Sequence, residues 1–207
     1  MSKDVEFVVK QIAETILKNE GYFSELDGVV GDGDFGYSLA RGFEKVLAEW
    51  DKIDHSVPGN TLKAVAQLLL SSVGGVSGTI WGTAFLRAGM ALGNKTEITG
   101  DDVIAMLRSA IEGIKKRGNC DLGDKTYLDT LVPTVNALED AFAKGMNDNE
   151  ALDVAAKVAA ESAESTRQMI AKRGRASYTG ERSIGTLDAG SVAVAEIIKD
   201  LSKAWKE

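Results

Sequence analysis

The chain has 207 residues, 44% of them hydrophobic and 27% charged, with a formal net charge of −7. That is enough apolar material for one substantial core, and the acidic balance argues against a nucleic-acid partner, so any anionic ligand must be held by local donors or a bound metal. The single cysteine, Cys120, excludes an internal disulfide framework and a cysteine-based zinc site, and reads as a small loop residue of a reduced cytoplasmic protein.

The N-terminal segment MSKDVEFVVKQIAETILK spreads its charges and lacks the apolar region of a signal peptide. No apolar run approaches the length of a membrane span, so no membrane partner is expected. Val5, Val8, Val9, Ile12 and Ile16 make the stripe of a first helix that Gly21 can end. A second helix runs over about 36–50 with Leu39, Phe43, Val46 and Leu47 inward, and a third over about 60–73 with Leu62, Val65 and Leu69. A fourth, about 77–92, is rich in small residues (Gly82, Ala84, Ala88, Gly89) that allow close helix approach. Thr99 and Asp102 form a capping-box variant that opens a fifth helix reaching about Arg117. The sixth covers about 129–144, with Pro133 in or just past its first turn. An alanine-rich seventh covers about 149–172, and an eighth, about 189–206, carries Val194, Ile197, Ile198, Leu201 and Trp205 on one face. The expected fold is all-α: one domain over 1–207, an eight-helix antiparallel up-and-down bundle.

Up-and-down connectivity puts the odd loops at one end. These are ELDGVVGDGD, SVGGVSGT, RGNCDLGDKTY and RGRASYTGERSIGTLD, and they hold most of the clustered Gly, Asp, Ser and Arg. The even loops, DKIDHSVPGN, GNKTEITG and KGMND, are plain polar connections. The one histidine, His55, lies in a plain loop and reads as a surface residue rather than a catalyst.

At the loaded end, Asp27, Asp32 and Asp34 follow a D-x4-D-x-D spacing interleaved with Gly31, Gly33 and Gly36. Oxygen-only ligands suit a hard cation, Mg2+ or Ca2+. An EF-hand fails the register, because counting from Asp32 puts Tyr37 where glycine is required and Phe43 where glutamate is required. The bland alternative is a solvated turn with Asp34 as helix N-cap. GGVSGT, Gly74–Thr79, offers backbone N–H groups and hydroxyls to an anion at a helix start. GNCDLGDKT imitates a phosphate-binding loop, but Asp124 interrupts it and it follows a helix, so that reading is rejected; Lys125 is left as a phosphate partner or as the mate of Asp124. KRGRASYTGERSIG, with Arg173, Arg175 and Arg182, is long for a bundle connection and suits a lid or binding loop. Together these suggest Mg2+ holding a polyphosphate for phosphoryl transfer, which needs positioning and charge stabilisation more than a protein nucleophile.

GDGDFGYSLARGF, SSVGGVSGTIWGTAFLRA, GDKTYLDTLVP and GRASYTGERSIGTLDAG, in this order, resemble the nucleotide-binding L subunit of dihydroxyacetone kinase (the DhaL family) along essentially the whole chain. The resemblance implies an eight-helix antiparallel barrel that binds ADP or ATP at one end through Mg2+, as a pair of ions held by Asp27, Asp32 and Asp34. It implies nucleotide contacts from Phe35, Gly36, Tyr37 and Ser38 and from the Val76–Ser77 turn. Gly118 and Tyr127 would lie near the adenine, and Arg175 with Leu187, Asp188 and Ala189 would close over the nucleotide. Phe35 and Ser38 stand where many members have His and Asn, and Ala189 replaces the proline of a DPG turn, departures that suggest another short keto sugar such as erythrulose and a looser turn. In such kinases a separate K-type subunit holds the substrate. The phosphoryl donor is ATP in one branch and a phosphotransferase-system phosphocarrier, acting on bound ADP, in the other; the GERSIG segment is closer to the second. A transcriptional regulator is a further partner in the family. Two other readings stay open: a non-catalytic nucleotide sensor, and the nucleotide domain of a fatty-acid kinase, in which more chain normally follows than ends here at Glu207.

Overall fold

The computed structural model describes residues 4–207 apart from Val76; the first three residues of the N-terminal segment and the Val76 contact expected above fall outside the described residues. Among the described residues there are nine α-helices and no strand: α1 Val5–Lys18, α2 Glu20–Gly28, α3 Phe35–Ala48, α4 Pro58–Ser72, α5 Gly75–Leu92, α6 Gly100–Gly118, α7 Leu128–Ala143, α8 Asp148–Ser165 and α9 Ala189–Ala204. Neighbours in sequence pack side by side from α3 to α9, α1 packs on α3, and α9 returns to α1. Eight helices therefore close a ring, and α2 sits at one end against α3 and α9. No helix among the described residues is long and apolar enough to cross a membrane.

Caps explain several boundaries. Thr99 and Asp102 form the capping box of α6, and Asn147 with Glu150 forms another on α8. Pro58 occupies the start of α4, where its missing N–H costs nothing. Pro133 lies inside α7, past the first turn.

Two boundaries differ from the sequence reading. The first helix does not run to Gly21: the Asn19 side chain donates to the Thr15 carbonyl at 2.8 Å and ends α1, and Gly21 lies in the separate helix α2. Helix α2 has no readable stripe because Phe23 is its one buried residue. Its place is set by close contact with α3, where a Cβ on Gly36 would lie 2.1 Å from the Glu20 carbonyl oxygen. The alanine-rich helix also stops early, at Ser165 rather than near 172. Thr166 turns its hydroxyl back to the Ala163 carbonyl at 2.6 Å, and one 3-10 turn, Thr166–Gln168, leads into extended backbone at Met169.

The core has two apolar clusters. The larger is built on Ile16, Phe23, Leu39, Phe43, Val65 and Leu69, and the smaller on Ile111, Leu128, Val135 and Leu138. Tyr127 and Ile198 touch both. At the plain end, the backbone of α4 meets the last turn of α5 so closely that a Cβ on Gly59 would lie 2.3 Å from the Gly93 carbonyl oxygen and 2.9 Å from that of Gly89. Neither obstacle is a flexible side chain. Gly59→Ala should lower stability by about 1–3 kcal/mol, read as an earlier denaturant midpoint with unchanged helical circular dichroism. An unchanged midpoint would show that the two helices are not in this contact.

Candidate functional site

The four odd loops meet at one end of the ring. The first contact is made by α2. Asp27 lies on its last turn, not in a loop as the sequence reading had it, and its carbonyl accepts the Gly31 N–H at 2.6 Å, folding the chain sharply back. The Asp27 carboxylate accepts from the Phe35 N–H at 3.4 Å, and the Ser24 hydroxyl accepts from the Tyr37 N–H at 3.2 Å. Helix α2 thus satisfies the amino end of α3 from outside. Asp34 stands exposed at the N-cap position, as the bland alternative has it, but makes no side-chain cap bond.

One carboxylate oxygen from each of Asp27, Asp32 and Asp34 lies within 4.8 Å of the other two; Asp27 is half-buried and the others are exposed. The donor set is all oxygen and carries three negative charges, which fits a hard divalent cation. Across the gap, Arg175 of the last loop pairs with Asp32 and reaches Asp34 at 3.9 Å. Spacing put the three aspartates together, and the long basic loop supplied the cation that faces them.

Around this cluster, Gly36 is buried, Tyr37 exposed and Ser38 half-buried in the first turn of α3. The Phe35 ring is 6% exposed and sits in the core, 6.1 Å from Phe23 and 6.0 Å from Tyr127 by ring centroids. What Phe35 can offer at this end is therefore backbone. Helix α5 opens at Gly74 with no side-chain cap, leaving the donor end of an 18-residue helix facing the loops. Ser77 on its first turn lies by Tyr127, whose hydroxyl is held above its ordinary pKa by burial, with Ser77 acting in the opposite direction. The Tyr127 ring also stands edge-on to Trp81 at 6.0 Å. Gly118 ends α6, and Asn119 follows in the left-handed region at φ 46°. His55 lies at the opposite end, on the Trp50 ring and carbonyl, away from every group above.

The phosphate-loop imitation has a different job from either one expected of it. Lys125 neither points to a ligand space nor pairs with Asp124. It is 3% exposed, and its ammonium donates to the carbonyls of Ser183 at 2.5 Å, Thr186 at 2.8 Å and Met169 at 3.3 Å. Asp124 instead pairs with Lys172 at 3.6 Å and Arg173 at 3.4 Å. Asp129, which sequence reasoning missed, is buried and accepts the N–H groups of Gly123 and Thr126 at 2.5 and 2.7 Å. An aspartate in the first turn of a helix was its only sequence signal.

The sequence profile of the DAK2 domain matches residues 29–203. Over 186 residues the chain is 39% identical to the PEP-dependent dihydroxyacetone kinase ADP-binding subunit DhaL of Escherichia coli (strain K12), covering 90% of this chain and 89% of that one. Over 188 residues it is 36% identical to the PTS-dependent dihydroxyacetone kinase ADP-binding subunit DhaL of Lactococcus lactis subsp. lactis (strain IL1403), covering 91% and 90%. The fold is shared with the dihydroxyacetone kinase of C. freundii, solved in complex with AMP-PNP and Mg2+, at a TM-score of 0.76 and 24% identity, over 97% of this chain and 33% of that one.

Asp188 gives this end a pH signature. It caps α9 by accepting the Ser191 N–H at 2.7 Å, while its own N–H donates to the Thr166 hydroxyl at 3.1 Å; these bonds hold the turn that leads into Ala189. Burial, aided by the nearby Asp129, pushes its carboxyl up to about 6, against the Ser191 bond and the Lys125 charge. The folded chain thus binds this proton more tightly than the unfolded chain, where the group titrates near 4. Its contribution to stability is full below the unfolded value and lost as pH rises through the folded one. Asp188→Asn keeps an acceptor for the cap and removes the titration. Relative to the parent, the variant should gain up to about 3 kcal/mol in unfolding free energy between pH 4 and pH 7. Parallel stability–pH curves for the two proteins would contradict this.

Proposed function

The chain belongs to the DAK2 domain family, and from that premise we propose that it is, over residues 1–207, the nucleotide-binding subunit of a dihydroxyacetone-type ketose kinase. It binds ADP or ATP with Mg2+ and passes the phosphoryl group to a short keto sugar held by a separate K-type subunit. The observation that carries this reading is the gathering of Asp27, Asp32 and Asp34 at the end of the ring where α5 presents its amino terminus.

The three aspartates would hold the magnesium, as a pair of ions. When bound, Mg2+ supplies neutralisation of phosphate charge. The chain's own groups do the positioning. The Val76–Ser77 turn and Ser38 in the first turn of α3 would contribute the phosphate contacts, and Arg175 would offset the charge that the aspartates leave unbalanced. Gly118 and Tyr127 flank the base, with Leu187, Asp188 and Ala189 covering the nucleotide. Six of the large apolar residues left exposed, Val29, Tyr37, Leu122, Ile170, Tyr178 and Ile184, ring this same end. Such a rim suits docking of the substrate-holding partner and exclusion of water during transfer.

Asp32→Ala should leave the helices intact and weaken Mg2+–ADP binding by calorimetry about 100-fold, roughly 3 kcal/mol. Unchanged affinity would refute the ligand assignment. Reconstitution with a K-type subunit and dihydroxyacetone or erythrulose, supplied in parallel with ATP or with a phosphoenolpyruvate-driven phosphocarrier, should give sugar phosphate in one donor arm and so identify the donor. Nucleotide binding without transfer in any arm would replace the kinase reading by a nucleotide sensor.

A further inference from the structure

The least expected group at this end is the buried ammonium of Lys125. Its acceptors are neutral oxygens: the carbonyls of Met169, Ser183 and Thr186, and the Thr186 hydroxyl at 3.2 Å. Burying a cation on neutral acceptors is costly, and the chain adds backbone strain by holding this non-glycine residue at φ 62°. Both costs are incurred where the last loop leaves and rejoins the ring. Met169 stands on the outgoing limb of that loop, and Ser183 and Thr186 on the return. The same neck is closed by the Ala171 N–H on the Ser183 hydroxyl at 2.9 Å, and by the Gly185 N–H on the Arg167 carbonyl at 2.7 Å. Beyond the neck the loop projects over the aspartates and carries Arg175 to Asp32.

We propose that Lys125 is a positioning residue: its ammonium clasps the neck of the loop 169–186 and so fixes where Arg175 meets the carboxylates. Lys125 touches no ligand and acts through Arg175. The neighbouring residue repeats the logic on the outer face, with Asp124 holding Lys172 and Arg173. The GDK segment is thus a clamp on the lid. This deepens the proposed function and rests on it for the link to nucleotide, although the clasp itself is measurable without one.

Lys125→Met removes the charge and keeps the side chain's bulk. In limited trypsinolysis without nucleotide, cleavage after Arg173, Arg175 and Arg182 should speed up about tenfold or more while the helical core stays resistant. Lid cleavage at the parent rate would overturn the clasp. In calorimetry with Mg2+–ADP, Lys125→Met and Arg175→Ala should each weaken binding, and the double variant should bind no worse than the weaker single, since both act through one contact. Additive losses would overturn the link to Arg175. Should Lys125→Met not fold, amine acetylation of the parent decides the matter: Lys125 should react at least about tenfold more slowly than Lys172 at the lid surface, as its burial demands, and equal rates would overturn the clasp. A parent chain that binds no nucleotide defeats the proposed function instead, and the trypsin and acetylation results then judge the clasp alone.

Discussion

Three carboxylates held within 4.8 Å of one another set the terms for everything at this end of the molecule. Each pair repels by about 1 kcal/mol in open water and several times that once water is excluded. A fold that assembles them must supply positive charge or accept the repulsion. Arg175 supplies part of it from the far side of the last loop. The amino terminus of α5 adds an oriented row of donors. In the proposed function a hard cation supplies the remainder, and the nucleotide's phosphates are held because that cation has ligand positions left over.

The ring of helices is the rigid support for this arrangement. Closure by α1 against α9 fixes the spacing of the four odd loops, and Tyr127, half-buried where the two core clusters meet, connects the α5 end to the loop before α7. The short helix α2 is the specialised part. By satisfying the first N–H groups of α3 from Asp27 and Ser24, it leaves Asp34 unused as a cap and available beside Asp32. Asp27 and Asp34 are therefore held on helix ends, and Asp32 on the short turn between them is pinned by Arg175, which is how a site keeps its geometry before its ligand arrives.

Much of the fold was legible because most helices bury a continuous stripe and several carry recognisable caps, such as Thr99 with Asp102 on α6. Helix α2 was not legible, since a helix that buries one phenylalanine has no period to read. The end of α8 was overshot because alanine carries no stop signal, and the stop is a threonine hydroxyl whose role depends on where Asp188 comes to lie. In the site, the aspartate spacing and the basic loop were visible as patterns of charge. The work of Lys125 was not: its partners are backbone carbonyls some 44–61 residues away, and carbonyls are present at every position of any sequence. Asp129 was hidden for the same reason, because its partners are N–H groups of a turn that has to fold first.

The central claim is that Asp27, Asp32 and Asp34 together ligate the cation that holds a nucleotide. It is tested most directly by carboxylate-detected NMR of the aspartate-labelled chain during titration with Mn2+ in the presence of ADP, since Mn2+ takes the same hard oxygen ligands as Mg2+. The side-chain signals of these three residues should broaden away together at substoichiometric metal, while Asp101 and Asp148, which open α6 and α8, stay sharp. Broadening that spared any of the three, or that spread evenly over all aspartates, would contradict the account.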